Sequence, residues 1–121
     1  MMTDISMGAI EARFADMIWQ NEPITAAELA KRAAELLDWK KTTSYTVLKR
    51  LCDKGIFKNE GGVVTSLISR ADYDAMQSEK FVEDQFDGSL PAFLAAFTSR
   101  KSLTPQELEA LRRMIDEHKE G

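Results

Sequence analysis

The chain has 121 residues, 44% apolar and 30% charged, with a net charge of −4. That composition fits one globular domain with room for a small extension, and excludes a disordered polyampholyte. No apolar run approaches the ~18–20 residues of a membrane span, and Met1-Met2-Thr3-Asp4 lacks the basic start of a signal peptide, so a soluble cytoplasmic protein without membrane insertion is expected. One cysteine, Cys52, and one histidine, His118, exclude a disulfide framework and most Cys- or His-based metal and catalytic sites; no cofactor and no metal are expected.

Residues 6–19 predict a first helix, capped by Ser6, with Met7, Ile10, Phe14, Met17 and Ile18 on one stripe. Asn21-Glu22-Pro23 stops it. Thr25-Ala26-Ala27-Glu28 is a capping box that opens a second helix, with Leu29, Ala30, Ala33, Leu36 and Leu37 inward. A third helix runs from Lys41 to Lys54, closed by Gly55, with Val47, Leu48 and Leu51 inward. Ile56 to Ile68 reads as a hairpin around Asn59-Glu60-Gly61-Gly62, the only strand-like material in the chain.

Three helical segments follow. Ser69-Arg70-Ala71-Asp72 caps one that runs to Phe86. After a break at Asp87-Gly88-Ser89, a short apolar helix covers Leu90 to Phe97, and Thr98 to Leu103 is a polar loop. Thr104-Pro105-Gln106-Glu107 then combines a proline at the first helical position with a capping box, ahead of a last helix striped with Leu108, Leu111, Met114 and Ile115.

Charge is concentrated. Residues 1–70 hold ten Lys/Arg against nine Asp/Glu, a net of +1; residues 71–121 hold six against eleven, a net of −5. Within 39–58 six bases (Lys40, Lys41, Lys49, Arg50, Lys54, Lys58) face one acid, Asp53. The side of the third helix away from its apolar stripe carries Thr42, Thr43, Tyr45, Thr46, Lys49 and Arg50. Short hydroxyls let a helix backbone approach a duplex, and the cations reach phosphates or guanine edges. A solvated, non-binding face gives the same pattern. Three helices followed by a glycine-tipped hairpin is the order of a winged helix-turn-helix, so the fold expected is mainly α: residues 1–69 a winged-helix DNA-binding domain and 70–121 a helical dimerisation domain.

There is no phosphate-binding glycine loop, no Ser/His/Asp set and no Cys/His pair, so an enzyme is not expected. Residues 70–121 are too few to bury their own apolar side chains, and an isologous contact between two copies would cover them. The candidate dimerisation residues are Tyr73, Met76, Phe81, Phe93, Leu94, Phe97, Leu108, Leu111, Met114 and Ile115. The candidate DNA-binding residues are Lys40, Lys41, Thr42, Thr43, Tyr45, Thr46, Lys49, Arg50 and Lys58.

Over residues 5–118 the sequence resembles the BlaI/MecI/CopY-type penicillinase repressor family of bacterial regulators. The resemblance is carried by Ile18-Trp19 with Pro23-Ile24-Thr25-Ala26-Ala27-Glu28-Leu29, by Asp38-Trp39 with Thr43 to Leu51 and Lys54-Gly55, and by Gly88-Ser89-Leu90, Phe97 and Leu103 to Leu108. It implies a homodimeric repressor on a palindromic double-stranded DNA operator. Thr43, Thr46 and Arg50 match recognition positions, with Lys41, Tyr45 and Lys49 as variable neighbours. A regulatory membrane peptidase is a candidate partner that the sequence leaves open. A winged-helix adaptor that binds protein rather than DNA is the competing reading.

Five departures stand out. Lys40-Lys41-Thr42-Thr43 replaces the usual Ser-Pro-Lys-Thr, and Ser44 replaces a branched apolar residue. The wing is about four residues shorter than the family resemblance implies, with Gly61-Gly62-Val63-Val64-Thr65-Ser66 in place of basic and aromatic residues. Ala96-Phe97 stands where β-lactam-responsive members are cut at Asn-Phe, and lone Cys52 does not reproduce the paired cysteines of copper-responsive members.

Overall fold

A computed structural model describes residues 5–118. They form α1 (Ala9–Asn21), β1 (Ile24–Thr25), α2 (Ala26–Leu37), α3 (Lys41–Asp53), β2 (Phe57–Glu60), β3 (Val63–Ser66), α4 (Arg70–Phe86), α5 (Leu90–Arg100) and α6 (Pro105–His118). Three helices and a small antiparallel sheet, ordered β1-β3-β2, make a winged helix; three further helices follow. The chain divides into two compact units between Ser78 and Glu79, inside α4.

The first unit is built on one apolar core. Phe14, Ala15 and Ile18 of α1, Leu29 and Ala33 of α2, and Val47, Leu48 and Leu51 of α3 meet Ile56, Phe57 and Val64 of the hairpin region. The two tryptophans sit at the core's edge. Trp39 packs its ring 5.0 Å from Phe14. Trp19 lies 5.1 Å from Phe57 and 5.6 Å from Tyr73, and its indole N–H donates to the Ile68 carbonyl at 2.9 Å. That bond satisfies a polar handle that burial would otherwise penalise.

Local chemistry sets the element ends. The Thr25 hydroxyl accepts the Glu28 amide at 3.0 Å, as the capping box requires, but the Glu28 carboxylate turns to Arg32 instead, at 3.3 Å. Asp38 adopts the left-handed conformation (φ 56°) and donates its N–H to the Ala33 carbonyl, which ends α2 and starts the tight turn into α3. Gly61 and Gly62 both have positive φ, +59° and +88°, the pairing a two-residue hairpin turn needs. The Asn59 side-chain carbonyl accepts the Gly62 amide, and the Ala26 amide donates to the Gly62 carbonyl at 2.8 Å.

Five expectations are corrected. The first helix begins at Ala9 after Gly8 rather than at Ser6, and Ile10 is half-exposed because Ile5, ahead of the helix, is buried in the core. Leu36 is exposed, since the last turn of α2 runs past the core. The hairpin is not the only strand material: Ile24 and Thr25 pair with Val64 and Val63 as a third strand, too short to show alternation in the sequence. The fifth helix continues to Arg100, so Thr98 to Arg100 are helical; the Thr98 and Ser99 hydroxyls bond back to the Leu94 and Ala96 carbonyls and thereby need no loop. Apart from these, Tyr73, a candidate dimerisation residue, is buried against Trp19 inside the first unit.

In the second unit, among the described residues, no side chain is fully buried. Phe81, Phe86, Phe93 and Phe97 form a chain of ring contacts 5.7–6.1 Å apart. The capping box of α6 closes in both directions: Thr104 donates its N–H to Glu107, and the Glu107 N–H donates to the Thr104 hydroxyl. The backbone and side-chain hydrogen bonds of Thr104 hold the Glu107 carboxyl below its usual value.

Because open space surrounds the position a side chain would take at Gly62, replacing it tests the backbone alone. Gly62→Ala is expected to cost about 1–2 kcal/mol in urea unfolding, the penalty of a left-handed L-residue.

Candidate nucleic-acid interface

The helical repeat splits α3 into two faces. Ser44, Val47, Leu48 and Leu51 are buried, whereas Thr42, Thr43, Tyr45, Thr46, Lys49 and Arg50 are exposed. Apolar anchorage of one side therefore turns every hydroxyl and cation of the other side toward water. Lys40 precedes the helix and Lys41 opens it.

The N-terminal end of α3 is electrostatically open. No side chain caps it, and no acid lies in its first turn. Such an end attracts anions through its unpaired amides and the helix dipole. Among the described residues, no carboxylate pairs with Lys40 or Lys41; the Lys41 ammonium lies 5.8 Å from the Tyr45 ring centre. This arrangement suits a phosphate.

The C-terminal half is paired. Lys49 meets Asp53 at 3.0 Å, with the two side chains 78% and 66% exposed. A pair that exposed is worth only about 0.2–1 kcal/mol, so it does not withdraw Lys49 from a stronger anion. Arg50 lies 3.7 Å from Glu11 of α1, which Lys54 also approaches at 3.9 Å. Lys54 is tied down further, donating to the Ser6 carbonyl at 2.8 Å.

The wing contributes less. Lys58 is exposed on β2 but pairs with Glu60 at 3.2 Å, so the hairpin carries no net charge. Its tip is held by the Ala26–Gly62 bond beside the start of α2.

Sequence reasoning missed two participants. Glu11 meets Arg50 across 39 positions of chain, and periodicity carries no signal for that separation. Ser44 stands where a branched apolar residue is usual, and its hydroxyl is buried with no hydrogen-bond partner among the described residues. Cys52 is half-buried, and burial, then the Asp53 charge, push its thiol up, which disfavours the reactive thiolate.

Fold and site together define a winged-helix DNA-binding transcriptional regulator. The penicillinase repressor family profile matches residues 7–117, and the chain belongs to that family. It is 29% identical over 107 residues to the penicillinase repressor of Bacillus licheniformis, covering 85% of this chain and 84% of that one. It is 23% identical over 114 residues to the methicillin resistance regulatory protein MecI of Staphylococcus aureus, covering 91% and 93%. The MecI of Staphylococcus epidermidis is also 23% identical, over 105 residues.

Removing the stranded hydroxyl should help the fold. Ser44→Ala is expected to raise unfolding free energy by about 1 kcal/mol, read as a shifted urea midpoint with an unchanged slope.

Proposed function

We propose that this protein is a homodimeric cytoplasmic repressor that lays α3 in the major groove of a palindromic operator. One observation carries the reading: burial of Val47, Leu48 and Leu51 leaves Lys40, Lys41, Thr42, Thr43, Thr46, Lys49 and Arg50 exposed along a single helix. The uncapped start of α3 supplies phosphate contacts that set register. Thr43, Thr46 and Arg50 face the base edges, and Lys49 adds a phosphate contact. With a neutral, tethered wing, α3 bears most of the contact. Membership of a repressor family favours this reading over a protein-binding adaptor.

A single module of this size offers few phosphate contacts; joining two makes the second binding event intramolecular. The second unit has the surface to join them. Phe81, Leu90, Met114 and Ile115 are each more than half exposed, and Phe97 and Leu108 nearly so. Phe93, Leu94, Phe97, Leu103, Ala110 and Leu111 line an apolar groove of about 330 Å³ between α5 and α6. Contact with a second copy would remove this surface from water. Met76 is exposed within the first unit. Ala96 and Phe97 lie inside α5, and the reading includes no cleavage between them.

Two measurements test the two halves of the reading. Binding to the duplex the protein selects from a random-sequence pool should fall steeply with salt, and Lys49→Ala with Arg50→Ala should lower affinity at least tenfold, about 1.4 kcal/mol. Unchanged affinity in that double variant removes α3 from the interface. Leu111→Asp with Ile115→Asp should sediment as monomer at micromolar concentration; persistent dimers place the contact elsewhere.

A further inference from the structure

Glu11 is an unusual neighbour for a DNA-reading helix. It belongs to α1, in the first helical turn, and its side chain is only 22% exposed. One carboxylate oxygen, Oε1, accepts the Gly8 amide at 3.5 Å and so helps to start α1. The other, Oε2, is shielded from water and accepts no hydrogen bond. Its compensation is electrostatic: Arg50 at 3.7 Å and Lys54 at 3.9 Å.

The two cations are not equivalent. Lys54 is mostly buried and anchored by the Ser6 carbonyl, so it stays beside Glu11. Arg50 is 53% exposed and meets Glu11 without a hydrogen bond. Among the described residues its guanidinium is therefore held by charge alone, with its N–H donors open to another acceptor. Glu11 is partly buried, so its charge is screened less by salt than that of a fully exposed carboxylate.

We infer that Glu11 is a specificity-determining positioning residue: a built-in counter-ion that holds Arg50 back from indiscriminate phosphate contact and presents it for a directed, bidentate acceptor such as a guanine edge. The inference rests on the operator reading above. A phosphate brings a second anion beside Glu11, and their repulsion offsets the hydrogen bonds it could accept from Arg50. A guanine edge accepts two aligned hydrogen bonds and carries no net charge, so it meets no such repulsion. Sequence-independent binding therefore loses the Arg50 contribution, and operator binding keeps it. Without Glu11 the guanidinium becomes one more mobile cation, and affinity for any duplex rises at the expense of discrimination.

Glu11→Gln tests this cleanly, because glutamine keeps the shape and the acceptor for the Gly8 amide. The quantity to measure is the ratio of affinities for the selected duplex and a scrambled duplex of the same composition. Glu11→Gln should tighten scrambled-duplex binding and lower the ratio by about threefold to tenfold. In an Arg50→Gln background the same change should leave the ratio where Arg50→Gln alone puts it. Glu11→Asp, which keeps an anion in the first turn of α1 but withdraws it from Arg50, should lower the ratio too, and replaces Glu11→Gln if a thermal melt shows that variant unfolded. A ratio unaltered by either Glu11 change, or lowered equally with and without Arg50, overturns the inference and leaves the operator reading intact. A parent protein that binds no duplex overturns both.

Discussion

Everything the α3 surface does follows from how the helix is fastened. Val47, Leu48 and Leu51 are buried together with Phe14, Ile18 and Leu29 in one core. An α-helix fixed along one stripe has no freedom to rotate, so the opposite stripe is fixed as well. Three apolar side chains thus determine which hydroxyls and which cations meet a partner. Weakening that stripe would blur the presented surface before it unfolded the domain. In this light Ser44 is a concession within the anchoring face: a buried hydroxyl with no partner where packing would favour carbon.

Electrostatics divide the helix further. Its start is open, with an uncapped end and lysines that meet no carboxylate among the described residues, while its last turns carry ion pairs with Asp53 and Glu11. A formal count of six bases to one acid between residues 39 and 58 overstates the free positive charge, because Glu11 and Glu60 come from outside or beyond that window. Among the described residues, the cations of this segment without an ion-pair partner are Lys40 and Lys41.

Much of this was legible in the sequence, for identifiable reasons. The starts of α2, α4 and α6 were marked by Thr25, Ser69 and Thr104, because a side-chain cap is a local event within four residues. The hairpin showed because adjacent glycines permit two positive φ values in succession. Long-range packing left weaker marks. Ile10 and Leu36 lie in phase with their helices yet beyond the core's ends, and periodicity reports phase but not extent. Tyr73 and Met76, two of the candidate dimerisation residues, lie in the first unit because the helix that bears them crosses from one compact unit into the next. The Glu11–Arg50 contact and the two-residue strand β1 left no sequence signal, since each is created only when distant segments meet.

The tie between the Ala26 amide and the Gly62 carbonyl joins the tip of the hairpin to the opening of α2. In this molecule the ribbon is therefore a bracket more than a feeler. Elongating it at the glycines would detach the loop apex and strip an acceptor from the first turn of α2 at the same stroke. A longer ribbon would thus have to come with a new way of closing that turn, which couples the reach of one element to the integrity of another.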